Sequence, residues 1–260
     1  MIKLTNVSMV RDSKQILSDI NWRVEQGQHW VLMGLNGSGK SSLLNIISGQ
    51  QWPTTGNVEV LGERFGKTKI PDLRKRIGWV GSVLNAKINQ FDTTDRIILS
   101  GIFNSIGIYQ DYGQEELDRV DKVMKQLNIS HLKGRKYLTC SQGQQQLVLI
   151  ARSLISNPEL LILDEPCNGL DIFATEQILD QVAHLINQKN APTVLYVTHQ
   201  ASEITPMFDH TLLLKDGLIF DQGETNRVLT TENLTKFYGH SVKVDKYGNR
   251  YLVYLDRSNG

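Results

Sequence analysis

The sequence predicts a mixed α/β fold around a mainly parallel β-sheet, with an antiparallel β-layer and a helical subdomain. A glycine-rich stretch, 34–41, lies between the apolar run Trp30–Met33 and a segment with helical spacing of leucine and isoleucine. Strand and helix patterns alternate again from residue 160 to residue 197, which is typical of a parallel sheet. Between these regions, from about residue 83 to 155, the apolar spacing is mostly helical. A chain of 260 residues is long enough to bury a sizeable core.

The individual elements follow from local periodicity and turn residues. Leu4–Val7 and the alternating Ile20, Trp22 and Val24 predict two strands of the antiparallel layer. Thr93 or Thr94 is placed to cap a helix, and Gln114–Leu127 predicts a helix with Leu117, Val120, Met124 and Leu127 on one face. Further strands are predicted at 58–60, 77–80, 160–163 and 193–197, helices at 41–48, around 178–186 and at 231–238, and hairpins at 211–221 and 242–253.

Composition excludes several classes of function. Hydrophobic residues make up 40% and charged residues 21%, which is ordinary for a soluble globular protein. A net charge of +1 argues against a nucleic-acid partner. The two cysteines, Cys140 and Cys167, suggest neither a disulfide framework nor a zinc site. No apolar run approaches the roughly 18 residues of a membrane span, so we expect a cytoplasmic protein.

The stretch from Gly34 to Ser41 matches a phosphate-binding loop, GLNGSGKS. Its glycines allow the backbone N–H groups to turn inward around a phosphate chain. Lys40 is expected to reach the β- and γ-phosphates and the Ser41 hydroxyl to bind Mg²⁺, while the following helix adds its positive N-terminal dipole. The residues predicted to bind the phosphates are Gly34, Asn36, Gly37, Ser38, Gly39, Lys40, Ser41 and Ser42.

A second motif places two carboxylates at the end of the apolar strand 160–163. Asp164 and Glu165 follow it directly, and a buried strand that ends in acids beside a phosphate loop indicates a Mg²⁺ site. Asp164 is the predicted metal ligand. Glu165 is the candidate general base for the water that attacks the γ-phosphate. Taken alone, the pair would also fit ordinary surface acids after a strand.

The order of the motifs carries a family resemblance. Ser141-Gln142-Gly143-Gln144 precedes an apolar helix, the acid-ended strand follows, and then come Asn168-Gly169-Leu170-Asp171 and Val197-Thr198-His199. Alone, Ser141 would be an ordinary N-cap. Together with the phosphate loop, this order over roughly residues 2–223 resembles the nucleotide-binding domain of the ABC (ATP-binding cassette) ATPases, including the molybdate-type ATP-binding subunits of bacteria.

The resemblance implies a P-loop NTPase core and adds site residues. The expected organisation is a single ABC ATPase domain over 1–230, with the helical subdomain of about 83–155 inserted, and a short C-terminal extension over 231–260. Ser141 and Gly143, with Gln144, are expected to face the γ-phosphate bound by another protomer, and Asp171 to communicate across that dimer. The resemblance makes His199 a γ-phosphate contact, and the catalytic set becomes Lys40, Glu165 and His199.

Four positions depart from the family pattern. Arg11 stands where an aromatic side chain usually stacks on adenine, and its guanidinium plane is expected to take that role. Ser82 replaces a glutamine that contacts Mg²⁺ and relays to the membrane subunit. Cys140 replaces the leading leucine of the signature, and Leu147 replaces a basic residue. These changes leave ATP binding intact and bear mainly on transport coupling.

The resemblance implies Mg²⁺-dependent ATP hydrolysis in a head-to-tail homodimer or with a paired ATPase subunit. The first hypothesis is the ATP-binding subunit of an ABC transporter, with a separate transmembrane permease and a peripheral position on the inner face of the cell membrane. The alternative is a soluble, non-transport ABC ATPase that acts on a ribosome or a regulatory protein. The cargo is not encoded here, because cargo contacts lie on the membrane partner.

Overall fold

The computed structural model describes residues 1–81 and 86–256. The chain divides into two compact units, one formed by Met1–Arg74 with Thr193–Gly260 and the other by Lys75–Pro192. Within the described ranges, no helix is long and apolar enough to cross a membrane. The inserted subdomain of about 83–155 and the extension 231–260 stay predictions.

The first unit contains the predicted antiparallel β-layer. Strands β1 (Ile2–Arg11) and β2 (Lys14–Val24) pair in antiparallel fashion and are longer than the sequence predicted. Strand β4 (Thr55–Val60) pairs with the other edge of β1, and β5 (Glu63–Arg64) with β4. Alternate side chains of this layer are buried, and Trp22 packs edge-to-face on Trp30 with ring centroids 5.5 Å apart. This contact joins the layer to the parallel strands of the same unit.

The parallel strands of the first unit lie around β3 (Trp30–Gly34). Strand β3 pairs in parallel with β8 (Thr193–Thr198) on one side and with β9 (His210–Lys215) on the other. Strand β10 (Leu218–Glu224) forms the predicted hairpin with β9. The central strands β3 and β8 are buried at every position, as expected for a sheet that is covered on both faces.

Four α-helices and a two-stranded hairpin complete the described part of this unit. The phosphate loop leads into α1 (Lys40–Ile47), and Gly49 follows in the left-handed conformation that often ends a helix. Helix α2 (Ile70–Lys75) includes Arg74, the last residue of the first segment of this unit. Helices α7 (Thr225–Val228) and α8 (Thr231–Tyr238) precede a two-stranded hairpin, β11 (Val242–Tyr247) and β12 (Arg250–Leu255).

In its described residues, 75–81 and 86–192, the second unit has two parallel strands and four α-helices. Strands β6 (Ile77–Val80) and β7 (Leu160–Asp164) pair in parallel. Its helices are α3 (Thr94–Ser100), α4 (Gln114–Gln126), α5 (Gln142–Leu154) and α6 (Ile172–Ile186).

Two details of the predicted helices need correction. Thr93 is the N-cap of α3, but its side chain makes no capping hydrogen bond, and the Thr94 hydroxyl instead donates to Leu132 O at 2.7 Å. On α4, Val120 and Met124 are buried as predicted, whereas Leu117 is 36% exposed. Leu117 lies in the first turn of this helix, at the end of the apolar stripe, where fewer neighbours cover it.

Candidate functional site

The phosphate loop has the backbone conformation that its glycines predict. Gly37 and Gly39 have φ of 81° and 105°, in the left-handed region that side chains disfavour. At Gly39 a Cβ would also lie 2.8 Å from Leu17 Cδ2 and 3.1 Å from Ile16 O. Strand β2 therefore packs directly against the loop, and a side chain at Gly39 would displace one from the other.

A second glycine, outside the motif, supports the same loop. Gly217 lies in the turn between β9 and β10, with φ of 76°, and its N–H donates to Ser38 O at 3.0 Å. Its carbonyl accepts from Ser18 N at 2.9 Å, and a Cβ here would lie 2.4 Å from Ile16 O. Gly217 thus joins the loop to β2. The sequence indicated only a turn at this position, and the Asp-Gly pair was the available signal.

Lys40 is buried, and its side chain is hydrogen-bonded to the backbone of its own loop. Its Nζ donates to Gly34 O at 2.7 Å and to Leu35 O at 3.1 Å, and the residue is 8% exposed. These bonds close the loop around the lysine side chain. Beside it, Ser38 Oγ is buried and has no hydrogen-bond partner in the described part of the chain. An unpaired buried hydroxyl next to a buried ammonium fits an anion, such as a phosphate oxygen.

The other loop residues face solvent to different degrees. Asn36 and Ser41 are exposed, and Ser42 is half-buried. Gly39 is the N-cap of α1 and provides no side-chain cap. The first-turn amides of an uncapped helix start are available to an anion.

Strand pairing brings His199 to the phosphate loop. Met33 on β3 is in register with Thr198 on β8, so Gly34 and His199 leave two adjacent parallel strands at the same level. His199 is exposed and shares a cleft with Leu35 of the loop. The position that the family resemblance assigned to His199 is therefore beside the loop.

Asp164 and Glu165 end β7 in the second unit. Val80 is in register with Leu163, and a Cβ added to Gly81 would lie 3.3 Å from Asp164 Oδ2. Asp164 and Glu165 are both half-buried. Ser82, which we compared with the family glutamine, lies outside the described residues.

Glu165 has a strained backbone and a held side chain. Its φ is 50°, which is unfavourable for a residue with a side chain. Asn168 stabilises this turn, because its N–H donates to Glu165 O at 3.1 Å and its Nδ2 donates to Glu165 Oε2 at 3.4 Å. This role of Asn168 was not predicted from the sequence, in which the spacing of three residues from Glu165 is only a turn signal. The bond from Asn168 Nδ2 orients the Glu165 carboxylate.

The signature residues and Asp171 cap neighbouring helices of the second unit. The Ser141 hydroxyl accepts from Gln144 N at 3.3 Å, and Gln144 Oε1 accepts from Ser141 N at 3.0 Å, which forms a capping box at α5. Asp171 Oδ1 accepts from Ala174 N at 2.9 Å and caps α6. Gly143 is buried, and a Cβ there would lie 2.9 Å from Ala174 Cβ. The missing side chain of Gly143 lets the two helix starts approach each other.

The structure describes the surroundings of three of the four residues that depart from the family pattern. Arg11 ends β1 with an exposed side chain, at 3.8 Å from Asp12 Oδ2. Cys140 and Leu147 are both buried, and burial raises the pKa of the Cys140 thiol. Leu147 is a core residue of α5.

His29 and His210 make structural contacts in the first unit. His29 Nδ1 accepts a hydrogen bond from Val194 N at 3.1 Å, and burial lowers the pKa of His29. His210 stacks on Trp30 at 4.7 Å between ring centroids. Neither residue belongs to the predicted site.

The donor atoms fit Mg²⁺ better than a protein-enclosed metal. Among the described residues, no group of three or more histidine, cysteine, aspartate or glutamate side chains could hold a metal ion. Mg²⁺ requires oxygen ligands and is commonly held by one or two protein groups together with substrate phosphates. The Ser41 hydroxyl and the Asp164 carboxylate are ligands of this type.

Comparison with known proteins identifies the family. The family model described as "ABC transporter" matches residues 17–168. The uncharacterized ABC transporter ATP-binding protein YmeB of Lactococcus lactis subsp. lactis (strain IL1403) is 44% identical, over 97% of this chain and 98% of that protein. The molybdate import ATP-binding protein MolC of Haemophilus influenzae (strain ATCC 51907 / DSM 11121 / KW20 / Rd) is 30% identical, over 86% of this chain and 81% of that protein.

A solved structure agrees with the sequence relatives. The dimeric structure of the ATP-binding cassette MJ0796 bound to ADP and Pi in a post-hydrolysis state has a TM-score of 0.73 and 29% identity, over 86% of this chain and 98% of that chain. The P-loop NTPase fold is thereby confirmed. These comparisons give no support to a soluble, non-transport ATPase. The chain belongs to the ABC transporter family, as an ATP-binding subunit that hydrolyses ATP.

Proposed function

We propose that two copies of this chain bind ATP between them, head to tail, and hydrolyse it with Mg²⁺ to drive a separate transmembrane permease. The observation that carries the proposal is the register of Met33 with Thr198, from which the phosphate loop and His199 leave adjacent strands. The family relationship and the dimeric cassette structure support dimerisation and a membrane partner in general. A peripheral position on the inner face of the membrane follows from such a partner.

The loop binds the phosphates through its backbone and Lys40. The N–H groups of the loop and the first turn of α1 point toward the anion, and Ser38 Oγ is available as a further donor. Lys40 exchanges its bonds to Gly34 O and Leu35 O for the β- and γ-phosphate oxygens. Arg11, at the exposed end of β1, stacks on the adenine.

Glu165 and His199 act at the γ-phosphate. Glu165 accepts the proton of the attacking water, and the bond from Asn168 holds its carboxylate in one direction. His199 contacts the γ-phosphate from the end of β8. Mg²⁺, held by Ser41 and Asp164, would neutralise charge on the β- and γ-phosphates.

The second copy completes the site with its signature. Ser141 and the start of α5 form an anion site, since a serine N-cap and the positive end of a helix dipole coincide there. Gly143 allows Ser141 and the capped start of α6 at Asp171 to approach the partner together. The γ-phosphate is then part of the interface, and its hydrolysis separates the two copies.

The experiment is a measurement of ATP-dependent dimerisation in Glu165→Gln. This variant keeps the size and hydrogen bonding of the side chain but removes the base, so bound ATP survives. By mass action, ATP that contacts both chains shifts the equilibrium toward the dimer. We expect a stable dimer with ATP and Mg²⁺ in sedimentation, and monomers with ADP.

Adding Ser141→Arg is expected to abolish that dimer while each monomer still binds ATP. Ser130→Arg is the matched control, because Ser130 is also an exposed serine at a short helix in the second unit. A Glu165→Gln protein that binds ATP and remains monomeric at tens of micromolar contradicts the composite site. Equal loss of the dimer in both arginine variants would contradict the role of Ser141.

A further inference from the structure

The first unit contains an apolar cleft that shares His199 with the proposed ATPase site and extends to the C-terminal hairpin. The C-terminal cleft, as we name it, lies between β12, the residues after β8 and the phosphate loop, and has a volume of about 810 Å³. Four large apolar side chains line it and remain exposed: Leu35 at 47%, Leu252 at 43%, Tyr254 at 47% and Leu255 at 57%. Scattered exposed leucines are common, but four around one cleft form a patch typical of an interaction site.

The walls of the C-terminal cleft are held by hydrogen bonds within the unit. Arg250 Nη1 donates to Ser202 O at 3.4 Å, which ties β12 to the segment after His199. Val242 N donates to Thr235 Oγ1 at 3.2 Å, which ties β11 to α8. The cleft is therefore formed before any partner arrives, and little ordering is required on binding.

The position of the cleft indicates what covers it. His199 and Leu35 line it together with β12, so it continues directly from the face on which the γ-phosphate is proposed to meet the second copy. Its lining contains no Asp, Glu, Lys or Arg that would select a charged ligand. These features favour a protein partner whose exposed apolar side chains lie next to a motif that faces the nucleotide.

The chain itself carries such a segment. Ile172 and Phe173 follow Asp171 directly, at the start of α6, and are 71% and 84% exposed. Asp171 is the residue expected to communicate across the dimer. We propose that the C-terminal cleft of each copy receives Ile172 and Phe173 of the other copy. This inference rests on the proposed head-to-tail dimer.

The contact would link the C-terminal hairpin to nucleotide state. In a two-fold symmetric dimer it occurs twice, so each substitution acts at two places. The hairpin β11–β12 then serves as a wall that accepts the partner's apolar pair only when ATP holds the copies together. Dimer stability would come from this contact as well as from the shared nucleotide.

The test measures the dimer dissociation constant of Glu165→Gln with ATP and Mg²⁺ by sedimentation. We expect the pair Leu252→Ser with Leu255→Ser, and separately Phe173→Ser, to weaken the dimer by about ten-fold or more. Tyr247→Ser is the matched control, since Tyr247 lies on the same hairpin, is 81% exposed and is outside the cleft. It should change the constant by less than about two-fold, within ordinary surface effects.

A variant that combines the cleft substitutions with Phe173→Ser distinguishes a direct contact between these residues from independent effects on the dimer. If Phe173 packs in the cleft, adding Phe173→Ser to the leucine pair should cost little more than either change alone. All variants should bind a fluorescent ATP analogue as monomers with unchanged affinity. Additive losses, or losses equal to that of Tyr247→Ser, would overturn the cleft contact.

Cross-linking gives a readout that does not depend on dimer affinity. One tagged Glu165→Gln chain carries Leu252→Cys and a differently tagged one carries Phe173→Cys, with the native cysteines left in place because both are buried. A short bismaleimide should join the two tags with ATP and not with ADP. A stable dimer that yields no cross-link overturns the inference alone, whereas a Glu165→Gln protein that never dimerises overturns the proposed function as well.

Discussion

Replacing Gly143 with alanine tests whether this glycine is required by packing. The added Cβ would lie 2.9 Å from Ala174 Cβ, which is closer than two non-bonded carbon atoms approach in proteins. Overpacking of this kind costs about 1–3 kcal/mol, whereas alanine in place of glycine in a helix returns about 1 kcal/mol at most. We expect Gly143→Ala to destabilise the protein by up to about 2 kcal/mol, the difference between these terms.

Ala174→Gly supplies the internal control, because it removes the atom that the new Cβ meets. Alone it should destabilise by about 1 kcal/mol through helix propensity. In the double variant the clash is absent and the two propensity terms offset each other, so stability should return close to that of the wild type. Urea unfolding followed by circular dichroism measures the cycle, and a coupling energy below about 0.5 kcal/mol would refute the packing argument.

Three further predictions concern the nucleotide and pH. Lys40→Ala should reduce ATPase activity to background, because the buried cation that faces the phosphates is lost; near-normal turnover in a phosphate-release assay would refute the loop assignment. Arg11→Ala should weaken binding of a fluorescent ATP analogue by about two- to five-fold, as expected for loss of one exposed stacking contact. The pKa of His29 is lower in the folded state than the ordinary 6.5, so the unfolded chain binds more protons and stability falls as pH drops below that value. His29→Asn, which can still accept from Val194 N, should show a smaller fall in melting temperature between about pH 7.5 and about pH 5.5, and an unchanged fall would contradict this assignment.

Local patterns predicted the parts of the fold and site that depend on neighbouring residues in the chain. The glycines at 37 and 39 have the positive φ that the loop motif requires, and Ser141 caps α5. The strand before Asp164 and the final hairpin also lie where periodicity indicated. In each case the conformation is determined within a few residues, by turn chemistry, capping or apolar spacing.

Contacts between distant segments were not predictable in the same way. Gly217 lies 179 residues after Ser38 in the chain, and it supports the phosphate loop through one backbone hydrogen bond to Ser38 O. Gly143 approaches Ala174 because two helices start side by side, which no local pattern records. Pairing of β4 with β1 likewise depends on how the chain returns after α1. Such features follow from tertiary packing, so a single sequence reveals the glycine but not its neighbour.

The partners of Lys40 bear on how readily the loop takes up phosphate. A solvent-exposed lysine would lose its hydration when it bound phosphate. Lys40, in contrast, is only 8% exposed before ATP binds, and it donates to two carbonyl oxygens of the loop. The bonds from the Lys40 ammonium to these carbonyls are already charge-assisted, and exchange of the carbonyls for phosphate oxygens adds the attraction between two opposite charges. The Gly217 bond to Ser38 O keeps the loop backbone in place during the exchange. The folded chain has therefore met much of the desolvation cost of its cation before ATP arrives, and more of the phosphate interaction remains available for binding.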